Sequence, residues 1–118
     1  MMVTFMLPYR VPAVCEYVDE AGESPFGMWF ANLDPSPAAR VTSVLTRVEL
    51  GNFSCVKGVG GGVFESKIDF GPGYRVYFGK HGDDVVILLG GGTKKRQSRD
   101  IALAHQRWAV YKRRTGEK

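Results

Sequence analysis

Between Val63 and Gly92 apolar and polar residues alternate between glycine-rich breaks, a pattern that admits little besides an antiparallel meander. VFESKIDF, from Val63 to Phe70, has period two, with Phe64, Ile68 and Phe70 on one face and Glu65, Lys67 and Asp69 on the other. Gly71-Pro72-Gly73 reads as a three-residue turn into YRVYF, and Lys80-His81-Gly82-Asp83 as a second turn into DVVILLG. The third strand is apolar on both faces, Val85, Ile87 and Leu89 against Val86 and Leu88, so it should be the most buried, with Gly90-Gly91-Gly92 closing it. Pairing across the first turn sets Phe70 opposite Tyr74, Asp69 opposite Arg75 and Lys67 opposite Tyr77.

The flanking segments supply helices to cover such a sheet. Residues 12–18 (PAVCEYV) read as a short strand. Ser24-Pro25 gives an N-cap and a first-turn proline for the short helix PFGMWFANL, which Asp34-Pro35 ends. Ser36-Pro37 repeats that signal for AARVTSVLTRVEL, where Val41, Val44, Leu45 and Val48 fall at helical spacing before Gly51. A last helix, from about Gln97 to Lys112, aligns Ile101, Ala104, Trp108 and Tyr111. The fold class expected is α+β: an N-terminal strand and two helices packed on an antiparallel sheet, then a C-terminal helix. A chain of 118 residues fits a single domain, with residues 1–11 as an extension and 113–118 as a basic tail.

Several function classes lack support in the residues. Cys15 and Cys55 are too few for a disulfide framework and have no zinc-ligand spacing, so they read as reduced, half-buried thiols of a cytoplasmic protein. The first residues carry no basic n-region before their apolar run, and no window has the roughly 18 consecutive apolar residues of a membrane span, so neither secretion nor a membrane is expected. The glycine runs match no nucleotide-binding loop, and no metal-binding or paired-acid motif occurs; no cofactor or metal is expected. Charge is more telling: from Lys94 to Lys118 nine basic residues face two acidic ones, a net +7, which leaves −3 on residues 1–93. That asymmetry points to a polyanionic partner.

Two groups of residues suit phosphate chemistry. Lys67, Arg75 and Tyr77 share the polar sheet face, where cations can hold nonbridging oxygens, although Asp69 with Arg75 equally suits an ordinary cross-strand ion pair. Lys94, Lys95 and Arg96 follow the triple glycine at the boundary between strand and helix. His81 sits in a turn and His105 on a helix flank, without a recognisable triad partner.

The run ELGNF, then VKGVGGGVFESKIDFGPGYRVYF and VVILLGGGTKKRQSRDIALA, resembles the addiction-module killer proteins, the HigB-like members of the RelE/ParE toxin superfamily. EYVDEAGESPFGMWFANL resembles that group's strand and Ser-Pro-Phe helix start, and the likeness spans residues 14–112. The resemblance implies a RelE-like domain, a type II toxin that cuts ribosome-bound messenger RNA without metal, by attack of a ribose 2′-hydroxyl on the adjacent phosphate. It implies as partners the ribosome, messenger RNA and a helix-turn-helix, HigA-like antitoxin. By position Arg75 matches the phosphate-binding arginine, Lys67 a basic residue on the preceding strand and Lys94 the lysine after the glycine turn; these are the catalytic candidates. Lys95, Arg96, Arg99 and Tyr77 are candidates for RNA contact, and Glu65, Asp69, His81 and His105 for the general base. Thr93, Lys95 and Arg96 depart from the group's GGDKSTQ string, and Glu65 stands where relatives carry a second lysine. Two alternatives stay open: a ParE-like toxin that binds a protein target such as DNA gyrase, and an inactive remnant that binds only its antitoxin.

Overall fold

The meander forms and is extended on both sides into five strands. The structure, a computed structural model, describes residues 12–116. The extension expected at residues 1–11 and the last two residues of the basic tail lie outside them. In chain order the elements are β1 (Ala13–Glu16), α1 (Pro25–Ala31), α2 (Pro35–Glu49), β2 (Val56–Gly58), β3 (Val63–Ile68), β4 (Tyr74–His81), β5 (Val85–Thr93), a 3₁₀ turn at Lys94–Arg96 and α3 (Gln97–Thr115). The strand order is β1-β5-β4-β3-β2.

The sheet is mixed rather than wholly antiparallel. β1 runs parallel to β5, whereas β5, β4, β3 and β2 pair antiparallel in succession. β5 would otherwise present an unpaired edge, and β1 satisfies it, with the Ala13 amide on the Asp84 carbonyl at 2.7 Å and the Tyr17 amide on the Leu88 carbonyl at 2.8 Å. β2 was not expected from the sequence, since three residues ahead of a glycine run carry too little periodicity to register.

Helices cover both faces. On one side Phe26 of α1 and Val41, Val44 and Val48 of α2 pack on Ile68, Val76, Phe78, Val86 and Leu88. On the other, Ala104 and Trp108 of α3 close over Val63, Tyr77, Ile87 and Leu89, with Tyr17. Ser24 caps α1 as expected, its hydroxyl accepting the Gly27 amide at 2.9 Å. α2 begins one Pro earlier than expected, with Asp34 as N-cap and Pro35 at its start, so both Ser36 and Pro37 lie inside its first turn. Cys15 and Cys55 are exposed, not half-buried.

Two departures from the expected meander matter for the site. The β3–β4 connection spans five residues, and the register becomes Ile68 opposite Tyr74, Lys67 opposite Arg75 and Glu65 opposite Tyr77. Phe70 leaves the ladder because the turn closes on it: the Gly73 amide donates to the Phe70 carbonyl at 3.0 Å, and Gly71 and Gly73 take φ of +56° and +81°. Its ring then lies under Arg40 of α2, 4.2 Å from the guanidinium carbon. The second departure is that Gly90, Gly91 and Gly92 continue β5 instead of ending it. Between Tyr77 and Phe78 the β4–β5 register slips by one residue, leaving Leu89 as an extra residue on β5. Past this bulge Gly90 and Gly92 face α3, and Gly91 faces α1. A Cβ on Gly90 would lie 2.8 Å from an Arg107 nitrogen, one on Gly92 would strike the Asp100 carboxylate, and one on Gly91 would enter the Trp29 ring. The triple glycine is space for three side chains from two helices.

A cationic cleft at the hairpin turn

The register that sets Lys67 beside Arg75 builds a cleft around the turn. Lys67, Asp69, Phe70, Gly71, Pro72, Gly73, Arg75 and Lys94 line an open hollow of about 450 Å³. Lys94 is tied to the turn by its backbone, its amide donating to the Gly73 carbonyl at 2.9 Å. Gly73 forms the floor: a Cβ there would sit 3.5 Å from Arg75 Nη1 and 3.6 Å from Lys94 Cβ. The φ of +81° is what reserves this position for glycine.

Arg75 is the unusual member. Residue exposure is only 5%, and Nε and Nη1 are buried without a hydrogen-bond partner. Its nearest anion is Glu65, with Nε 3.7 Å from Oε2. That separation gives charge balance without a formed hydrogen bond. Glu65 is 1% exposed and is fixed by α3, since Gln97 Nε2 donates to its Oε2 at 2.8 Å. Lys57 of β2 reaches the other oxygen at 3.7 Å. The guanidinium is thus held in place by burial and by Glu65 while the residue borders the cleft, so its charge is fixed at the edge of the hollow.

The other candidate residues divide by position. Lys67 and Asp69 are exposed and paired at 3.4 Å, so Asp69 shares the cleft with Arg75 and Lys94. Lys95, Arg96 and Arg99 are exposed on the 3₁₀ turn and the start of α3, next to Lys94. Tyr77 lies under α3 with 0% exposure, and does not reach the surface. Burial, reinforced by the Glu65 carboxylate, pushes its phenol far above the usual tyrosine range, so it stays protonated. Glu65, a candidate base from the sequence, is likewise enclosed and occupied with Gln97, Lys57 and Arg75.

The histidines lie elsewhere. His81 is at the opposite end of β4 from Arg75, about 20 Å away along the strand; its Nδ1 is 3.1 Å from the Tyr111 hydroxyl. His105 lies about 12 Å along α3 from Gln97, with Nε2 3.1 Å from the Val59 carbonyl.

The basic C-terminal segment is divided too. Arg107 donates to the Leu89 carbonyl at 3.0 Å, Arg114 to the Val18 carbonyl at 2.6 Å, and Lys112 lies over the Trp108 ring. Those cations brace α3, whereas Lys94 lines the cleft and Lys95, Arg96 and Arg99 follow it on the 3₁₀ turn and the start of α3. Arg40 and Arg47 were missed. They lie with Ser36 and Ser43 on the exposed face of α2, beside Lys67 and Asp69. Their signal was readable as polar residues at helical spacing along the flank of the valine stripe.

Among the described residues no helix is long and apolar enough to cross a membrane. No family model matches the chain. It is 41% identical over 80 residues to an uncharacterized protein of Haemophilus influenzae, an alignment covering 67% of this chain and 81% of that protein.

Proposed function

We propose that this chain, which belongs to one family with the Haemophilus influenzae protein, is the RelE-like toxin of a type II toxin-antitoxin module and cleaves ribosome-bound messenger RNA. The observation that carries this reading is Arg75, buried with Nε and Nη1 unpartnered in a cleft it shares with Lys67 and Lys94. Three cations around one hollow suit a phosphodiester, whose charge rises as a nucleophile adds to phosphorus.

In the proposed reaction the ribose 2′-oxygen attacks the adjacent phosphorus and the bond from phosphorus to the 5′-oxygen breaks. The products are a 2′,3′-cyclic phosphate and a 5′-hydroxyl end. Arg75 and Lys94 stabilise the nonbridging oxygens, and Lys67 orients the phosphate. Asp69 is the base candidate in the cleft and takes the 2′-hydroxyl proton; the leaving 5′-oxygen gains a proton from water or a lysine ammonium. Positioning and charge stabilisation supply most of the rate, with the base contributing about 10² to 10⁴. A helix-turn-helix antitoxin is the proposed neutralising partner.

The test is induction in cells with mapping of messenger ends. Cuts within translated codons, lost in Arg75→Gln, support the reading. Growth arrest with intact messengers and blocked DNA supercoiling would replace it with a gyrase-binding toxin.

A further inference from the structure

A second hollow, of about 570 Å³, lies between α2 and the end of β3, lined by Ser36, Arg40, Ser43, Arg47, Lys67 and Asp69 among others. It adjoins the Arg75 cleft, with the Lys67–Asp69 pair on the border of both. Arg40 and Phe70 stand at the junction, the guanidinium stacked on the ring at 4.2 Å, and Phe70 also lines the cleft. Along the two hollows Arg40, Arg47, Lys67, Arg75 and Lys94 face one carboxylate, that of Asp69.

Such a channel is cationic along its length and has hydroxyls between the cations. α2 places Ser36, Arg40, Ser43 and Arg47 on one side at three- and four-residue intervals, so successive donors are about 5 to 6 Å apart. This spacing suits the backbone of an extended strand. We infer that the groove between α2 and β3 is the track for single-stranded RNA flanking the cleaved phosphate, with Arg40 and Arg47 each holding one phosphate beyond the reacting one. Resting on the proposed nuclease reading, this extends the site from one phosphate to a run of nucleotides. The track is sequence-tolerant, since it holds backbone and not base edges.

The experiment measures binding of 2′-O-methyl oligouridylates, which keep the phosphates and resist cleavage, as a trinucleotide and as a nonanucleotide. Each phosphate contact to a single strand contributes roughly 0.7 to the logarithmic salt slope, so two contacts amount to about 25-fold in affinity at about 0.1 M salt. The full chain should bind the nonanucleotide more tightly than the trinucleotide by about that factor. In Arg40→Gln/Arg47→Gln the gain should collapse, with trinucleotide binding unchanged and the salt slope for the nonanucleotide lowered by about 1.4. Arg40→Lys/Arg47→Lys should restore it, because phosphates accept either cation. A variant that keeps the full gain, or a parent chain that shows none, overturns the track and leaves the groove to another occupant such as an acidic protein segment. Trinucleotide binding that survives Arg75→Gln identifies a different failure, that of the cleft itself.

Discussion

Glu65 and Arg75 lie on adjacent strands beneath the first turn of α3, Oε2 and Nε 3.7 Å apart, with side chains 1% and 6% exposed. Neither charge is at the surface, yet Arg75 also borders the cleft. The pair therefore ties the buried sheet face to the cleft. Arg75→Ala leaves the buried Glu65 carboxylate with only Gln97 and the exposed Lys57 among the partners described, and should cost about 1 to 3 kcal/mol in stability as well as about 10² to 10³ in cleavage rate. Glu65→Gln/Arg75→Gln removes both charges and should recover much of the stability, measured by urea denaturation, without recovering cleavage. Equal stability losses in the single and double variants would show that the pair is not coupled.

Lys94 is held by its backbone to Gly73, but its side chain is exposed beside Lys95 and Arg96. Lys94→Ala should lower cleavage less than Arg75→Gln, since its neighbours partly replace the charge. Lys94→Ala/Lys95→Ala/Arg96→Ala should approach the loss seen for Arg75→Gln, with an unchanged melting temperature. A triple variant that cuts at the parental rate would remove this turn from the site.

The elements were largely legible because periodicity and caps are local signals: Ser24 before Pro25, the valine stripe of α2 and the alternation of β3 all lie within a few residues. Register was not, because Phe70 continues the apolar alternation, and nothing local shows that the turn closes on its carbonyl and takes it out of the ladder. The triple glycine failed for a related reason. Its residues look like a strand end, and only Trp29, Asp100 and Arg107, distant in sequence, give them a purpose within β5. Arg75, Lys67 and Lys94 were identifiable by resemblance and do line one cleft. Burial of Glu65 and Tyr77 was hidden because their alternation looks solvent-facing, and α3 had no visible reason to cover that face.

Gly91→Ala should therefore destabilise the fold, as its methyl would enter the Trp29 ring. Overpacking of this kind costs about 1 to 3 kcal/mol. Trp29→Leu in the same chain should make Gly91→Ala less costly than it is alone. Additive losses in denaturant midpoints would mean that the two positions do not compete for space.

Burial raises the carboxyl of Asp100 above the usual aspartate range, against the pull of Arg96, Arg99 and Arg107. With a raised native value the folded chain keeps this proton after the unfolded chain has lost it. The associated stability is full below about pH 3.9 and is lost as pH rises through the native value. Relative to Asp100→Asn, the parent chain should lose stability as pH rises from about 3.9 through the raised native value. A parent-to-variant difference that stays constant, or reverses sign of slope, in urea melts over that range would contradict the assignment.

The central claim is that the cleft serves attack by the substrate's own 2′-hydroxyl. Ribosomes programmed with a short messenger, one copy carrying a single 2′-deoxy sugar at the cleaved position, test it most directly. The all-ribose messenger should be cut to 2′,3′-cyclic or 3′-phosphate ends, including by protein treated beforehand with a chelator and then freed of it. The deoxy messenger keeps the phosphates but lacks the nucleophile and should remain intact. Cleavage of the deoxy messenger at the normal rate, or products with 5′-phosphate ends, would contradict the mechanism.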